Sequence, residues 1–422
     1  MTRKNNISLD ANKDALLGVQ STKGWIFDSI LLIPFMGVQF FANIGFAWPF
    51  ALIRLAISGS ILLAYFVQKE KPENKIFAGF FIIFLLFTVS IILNDGNVLD
   101  AISRYYGFLM IICLANIRRN KITRLCYSIL FTSELLIYSN LFVLTLYPYP
   151  DGLFFSEEGN PHWVIGQKQD FVIVFLPCII SSLFLWFNKV ARLRIILVIL
   201  AMVTTLSLVL TLGLTLVLFV LIFLVFYSFS TNRSIKGTFL FYSYIVMEGV
   251  CIFVALSKET TQIVFFYLDY LRSSDDANVS KGDTMMQRIN MWYDALHNIY
   301  GNFWGLGVLT EQRFDRLMPN SDYHPHVHNL LIDMAHTGGV LCALLYLSIN
   351  YWTFKELDKI SSTNRNILVY SLFVSNVIAL TECTYWPLAV LPLALAQIYI
   401  YNCKKECKVS CRNNNHAKIV EK

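Results

Sequence analysis

Apolar runs of 17 to 25 residues recur from Trp25 to Asn402, each closed by a polar segment. A helix needs about 20 apolar residues to cross roughly 30 Å of hydrocarbon. The pattern therefore predicts an all-α polytopic membrane protein. Its spans fall at 25–45, 48–67, 76–93, 99–116, 125–146, 169–187, 195–209, 212–229, 238–257, 327–348, 367–384 and 387–402. The seventh and eighth come from one stretch, Ile195 to Ser230, relieved only by Ser, Thr and one Gly. As a single helix it would be about 54 Å long. Its flanks, KVARLR and TNRSIKG, are both basic, so the chain has to return to the side it left. A hairpin turning near Ser207 to Gly213 does this and brings the count to about twelve spans.

The polar segments give the organisation: a tail at 1–24, nine spans over 25–257, a large outer loop at 258–326, three spans over 327–402 and a second tail at 403–422. The outer loop is far longer than a connector needs, and such loops are usually functional. A shorter outer segment, Tyr147 to Lys168, is punctuated by Pro and Gly. The first tail, Met1 to Lys23, has no apolar core, which predicts no cleaved signal peptide.

Composition agrees. Of 422 residues 56% are hydrophobic and only 15% charged, the profile of a membrane protein rather than a soluble enzyme. The net charge of +6 does not argue for nucleic acid. Twenty-five of the 34 Lys and Arg residues lie at 1–24, 68–75, 117–124, 188–194, 231–237, 351–366 and 403–422. These become the cytoplasmic segments, with both termini inside. The other nine are Arg54, Arg104, Lys168, Lys258, Arg272, Lys281, Arg288, Arg313 and Arg316, all at or beyond the outer edge. None of the nine cysteines falls in the large outer loop, which argues against a disulfide framework. Cys403, Cys407 and Cys411 read as reduced thiols, with an acylated or metal-binding face as the alternative.

Candidate chemistry gathers beside the large loop. In MMQRINMWYDALHNIY, the residues Met285, Ile289, Trp292, Leu296 and Ile299 share one helical face. This predicts a helix lying on the membrane surface, with Arg288 bordering the apolar face and Asp294 solvated on the polar side. GNFWGLGV follows at 301–308, its glycines permitting a tight loop. Then comes HPHVHNLLIDMAHTGGVLCALLYL, from His324 to Leu347, which holds four of the seven histidines. In an extended chain His324, His326 and His328 point to one side, a spacing that also suits a metal. No fourth ligand lies nearby, so no metal is assigned. Asn329 can cap the tenth span. Asp333, His336 and Thr337 share a face that should look into the bundle, where Asp333 and His336 either satisfy each other or take part in chemistry. Gly338 and Gly339 let another helix approach there. Glu382, in ALTECTYWPL, is the only acid in the turn between the last two spans. It is a candidate functional carboxylate or a wet helix-end acid.

In this order these elements resemble the O-antigen ligase and O-antigen polymerase superfamily, bacterial glycosyltransferases that use polyprenyl-diphosphate-linked glycans. QRINMWYDAL is similar to the family's Arg–Trp helix, GNFWGLGV to its Gly-x-Gly loop, and HVHNLLIDMAHTGGVLCALLYL to its His-Asn block followed by a Gly pair. VIGQKQDFVIVFLPCII resembles the family's start of the sixth span. The resemblance covers about 285–347 in sequence and most of the chain in topology. It implies a GT-C-like architecture in the bacterial inner membrane, with the active site facing the periplasm. It makes His328 the essential histidine and Arg288 its companion arginine, and it puts Glu382 where ligases carry an acid. The chain departs from the family in the seventh–eighth hairpin, where LTLGLTLV has Leu214 in place of an expected arginine.

The implied partners are an undecaprenyl-diphosphate-linked glycan as donor and the lipid A core, or another lipid-linked repeat, as acceptor. No cofactor is implied. Breaking the sugar–diphosphate bond develops negative charge, which a planar guanidinium holds well. Arg288 is the first candidate, followed by Lys168, Arg313, Arg104 and Arg54. Trp292, Asn329, His326, Asp333 and Gly338 would support the site. Either His328 takes the acceptor proton as a base, or it clamps the diphosphate and Glu382 is the base. The single loop of about 70 residues and the single His-Asn block favour ligase over polymerase. A transporter of lipid-linked sugar would instead need charges near the bilayer midplane.

Overall fold

The computed structural model describes residues 24–37, 40–41, 44–45, 47–68, 75–94, 98–118, 122–155, 161–166, 170–209, 222, 224–225, 234–257, 260, 263–264, 266–267, 276–309, 311–319, 327–380 and 387–420. Its helices are α1 Trp25–Met36, α2 Ala47–Val67, α3 Lys75–Leu93, α4 Val98–Ile117, α5 Ile122–Leu146, α6 Phe171–Phe187, α7 Arg192–Val209 and α8 Gly237–Leu256. They continue as α9 Asp276–Gly301, α10 Glu311–Leu317, α11 Leu330–Gly338, α12 Val340–Leu357, α13 Thr363–Ala379 and, after a 3₁₀ turn at Pro387–Val390, α14 Leu391–Val420. Between α5 and α6 the shorter outer segment forms a small antiparallel hairpin, β1 Phe154–Phe155 with β2 Pro161–His162. It is anchored by the Trp163 indole on the Tyr147 carbonyl at 2.8 Å and by the Ile165 N–H on Asn140 at 2.9 Å. Burial holds the His162 imidazole below the usual histidine range.

Among the described residues, five segments are long and apolar enough to cross a membrane: Pro49–Val67, Lys75–Leu93, Ile122–Leu146, Arg192–Val209 and Gly237–Leu256. Their outward faces carry Leu52, Phe81, Ile82, Leu200, Val246 and Phe253 exposed. Such apolar surfaces would be a liability in water and are at home in lipid. α6 is buried along almost its whole length and forms the centre of the bundle. It packs on α5, which also touches α1 and α7, while α3 lies between α4 and α12.

The basic segments tie the helices at one end. Buried Asp28 of α1 receives Arg118 at 2.6 Å and Arg124 at 2.7 Å. Glu134 of α5 pairs with Arg194 of α7. After α12, the Asp358 carboxylate accepts the Gly237 N–H at 2.6 Å, the Thr238 N–H at 2.9 Å and the Thr238 hydroxyl at 2.8 Å, and it pairs with Arg365. The first N–H groups of α8 thus find their acceptor on another loop. Burial opposes ionisation of Asp358, but these N–H donors and Arg365 outweigh it and hold its carboxyl below the ordinary Asp range. A depressed folded-state pKa gives stability that is present above the unfolded value, about 3.9, and lost as pH falls through the folded one. Asp358→Asn is therefore expected to cost about 1–3 kcal/mol at neutral pH. Its thermal midpoint should fall below wild type at pH 7 and approach it in acid.

The tenth predicted span, 327–348, is not one helix. Gly339 breaks it at φ 92° between α11 and α12. Ile349 of α12 rests on Gly79 near the start of α3. Gly338 lies against the Phe87 ring, eight residues further along α3, about 12 Å. Leu330 at the other end of α11 shares a cavity with Phe80, Tyr346 and Asn350. So α11 folds back along α12, with its N-terminus the deeper end. The approaching helix predicted at the Gly pair is α3, which meets Gly338, whereas Gly339 faces backbone of the 303–307 loop. The first helix ends at Met36 rather than near 45. α14 runs on through the segment predicted as a cytoplasmic tail. Most of the eighth predicted span and its hairpin turn, with Leu214, lie outside the described residues.

Candidate functional site

The face predicted from the 4–3–4–3 spacing of α9 is buried, but against protein rather than a membrane surface. Ile289, Met291, Trp292 and Ala295 pack with Ala255, Leu306, Phe314, Val327 and Ile332. Asp294 is only 5% exposed, which corrects the solvated position predicted for it. It sits among Met291, Trp292 and Ala295, all buried.

Trp292 then reaches across to the histidine block. Its indole N–H donates to the Val327 carbonyl at 3.0 Å, and the Val327 N–H donates to Asp333 Oδ1 at 2.9 Å. The residue before His328 is therefore gripped on both its backbone groups. His328 itself has φ 54°, the left-handed region that costs a side-chain-bearing residue energy. Such strain persists only where its surroundings impose it, and it clusters at functional sites.

Asn329 holds the other side. It caps α11, with Oδ1 accepting the Ile332 N–H at 3.0 Å, as the sequence predicted. It does more than cap. Its Nδ2 donates to Glu248 Oε1 at 2.9 Å and to the Leu380 carbonyl at 3.2 Å, joining α11 to α8 and to the end of α13. Asp333, His336 and Thr337 are all buried on the inward side. Asp333 spends Oδ1 on the Val327 N–H, and His336 Nε2 is buried without a hydrogen-bond partner.

The glycine loop closes the other end of α11. Leu306 N–H bonds the His336 carbonyl at 2.8 Å, and Gly307 N–H bonds the Thr337 carbonyl at 3.0 Å. Ser90 of α3 donates to the same Thr337 oxygen at 2.6 Å. The carbonyls that a helix C-terminus leaves unpaired are thus used. Gly305, at φ 88°, is required here, because a Cβ would lie 2.5 Å from the Gly339 nitrogen.

The predicted cations do not all converge. Arg288 is half-buried on α9, one turn before Trp292, so it stands about 6 Å along the helix from the residue that grips Val327. Arg313 on α10 donates to the Asn94 carbonyl at 2.5 Å and to its Oδ1 at 3.3 Å, locking the loop onto the end of α3. Arg54 is on α2, whose main neighbours are α4 and α1, and its Nε is buried without a partner. Lys168, Glu382, His324 and His326 lie outside the described residues, as does the side chain of Arg104.

Sequence reasoning missed Glu248. It is the only acid in α8 and is 3% exposed. A lone carboxylate in an apolar span is the signal that could have found it.

A bundle of apolar helices with a histidine turn, an arginine helix and a clasping glycine loop defines a multi-pass membrane protein with a built site at one end. The family model described as O-antigen ligase matches residues 195–347, which include α9, the glycine loop and all of α11. Over this region, somewhat more than a third of the chain, the protein is similar to the O-antigen ligase family. No curated protein matches the chain, and no solved structure does.

Proposed function

We propose that the chain is a glycosyltransferase of the bacterial inner membrane. It moves an undecaprenyl-diphosphate-linked glycan onto a sugar hydroxyl at the periplasmic face, and the acceptor is the lipid A core. The observation that carries this is the Trp292–Val327 bond, which brings the arginine helix to the strained His328 turn.

The acceptor oxygen attacks the anomeric carbon of the donor sugar. The sugar–diphosphate bond breaks, and its electron pair leaves with the diphosphate. Arg288 holds that charge through its fork of N–H donors, beside the buried start of α11, where such bonds act strongly. The acceptor hydroxyl loses its proton to a neutral His328 as the new C–O bond forms. Glu382 is the base in the variant scheme in which His328 clamps the diphosphate. Arginines supply the positive charge, so no metal ion enters the scheme.

The test is transfer by the purified protein from an undecaprenyl-diphosphate glycan. Product on lipid A core supports ligation, and product only on a second lipid-linked repeat makes the chain a polymerase. Binding of donor with no product on either acceptor would sink both and favour a transporter. Within the scheme, Arg288→Lys keeps the charge but loses the fork. It should lower kcat/KM for the donor by about 10–100-fold, an effect of roughly 1.4–2.7 kcal/mol. Unchanged kcat/KM would take Arg288 out of the mechanism.

A further inference from the structure

Glu248 sits inside α8, about two turns from its Leu256 end. It pairs with no cation among the described residues. One oxygen accepts the Asn329 amide, and the Tyr244 side chain, one turn earlier on α8, is the carboxylate's other polar neighbour. A carboxylate so placed is expensive, and an apolar side chain of similar volume would serve packing better. What it does that an apolar residue cannot is dictate the orientation of Asn329.

We propose that Glu248 is a positioning residue for the His328 turn, acting through the Asn329 side chain. The proposal rests on the transferase reading above. Glu248 Oε1 is the acceptor for one Asn329 amide hydrogen. The Leu380 carbonyl, the second partner of Asn329 Nδ2, also accepts. Between them they claim both amide hydrogens, so Asn329 Oδ1 is left to face the Ile332 N–H. That bond fixes where α11 begins, and His328 is the residue just before it. Trp292 and Asp333 hold the turn from Val327, and Glu248 holds it from Asn329. Without Glu248 a buried amide hydrogen loses its acceptor. The Asn329 side chain is then free to turn over, and the His328 backbone loses one of its two supports. A displacement of about 1 Å at a reacting group can cost around 100-fold in rate.

The experiment compares wild type, Glu248→Gln, Glu248→Ala, Asn329→Ala and the double Ala variant as purified full-length protein. The substrates are an undecaprenyl-diphosphate glycan and a sugar acceptor. Glu248→Ala should lower kcat by about 10–100-fold with donor KM within about threefold, since substrate contacts are untouched. Glu248→Gln offers an acceptor oxygen in the same place and should keep at least about a third of wild-type kcat. The double variant should be no slower than the worse single one, because both act through one bond. If Glu248→Ala does not accumulate in the membrane, Glu248→Met replaces it with the same expectation.

Wild-type kcat in the Ala or Met variant would overturn the proposal, and so would rate losses that multiply in the double variant. Glu248→Gln as slow as Glu248→Ala would overturn it too, because the charge and not the position would then matter. Thermal midpoints of the same set separate this proposal from the reading it rests on. If wild type transfers to no acceptor, the transferase reading fails. Non-additive midpoints would still establish the Glu248–Asn329 coupling, and additive ones would refute it.

Discussion

His328→Ala is expected to abolish glycan transfer while leaving the protein in the membrane with its helices intact. A positioned general base contributes about 10²–10⁴-fold to rate, and a diphosphate clamp at the same place would be worth a similar factor. The loss should therefore be at least about 100-fold under either role. The backbone complicates the variant, because residue 328 has φ 54°. Alanine tolerates that region no better than histidine, whereas glycine adopts it freely. His328→Gly is the cleaner variant for that reason, since it keeps the turn and removes only the imidazole. Both variants should be inactive, with membrane yield and thermal midpoint near wild type. An active His328→Gly would mean that the position matters for its backbone and that the imidazole has no part in the chemistry.

Gly305→Ala should act on the fold instead. A Cβ there would stand 2.5 Å from the Gly339 nitrogen and 2.6 Å from the Thr337 carbonyl oxygen. Both are backbone atoms, so no flexible side-chain end can move aside. The left-handed φ of 88° adds its own penalty. Strain of about 1–2 kcal/mol and overpacking of about 1–3 kcal/mol sum to a loss of several kcal/mol. The loop would have to leave the end of α11, releasing the Leu306 and Gly307 N–H bonds together. A fall in thermal midpoint should accompany easier proteolysis between α9 and α11. Gly301→Ala is the control, because nothing lies within 4 Å of a Cβ there, and it should be nearly silent. Equal midpoints for the two variants would refute the clasp.

The two variants probe what could and could not be read along the chain. The α9 face was legible because helical periodicity is a local property, and Ile289, Trp292 and Ile299 lie on the inward side. The Asn329 cap was legible for the same reason: side chain and acceptor partner are three residues apart. The environment of Asp294 was not, since one helix cannot say how many of its faces are covered. Arg313 looked like a ligand for phosphate, but Asn94, 219 positions away, takes two of its donors.

The sequence by itself determined that the chain is a bundle of membrane-scale apolar helices. It also determined which short block carries the histidine, because hydrophobic length, charge bias and capping act between near neighbours. Only the tertiary structure decided that the apolar run from Val327 to Ser348 folds back on itself at Gly339, and that Glu248 and Trp292 grip the His328 turn from opposite sides. An apolar run reads the same whether it crosses or doubles back. The choice is made by backbone bonds from Leu306 and Gly307, some thirty residues upstream, and by Ser90, nearly 250 residues away.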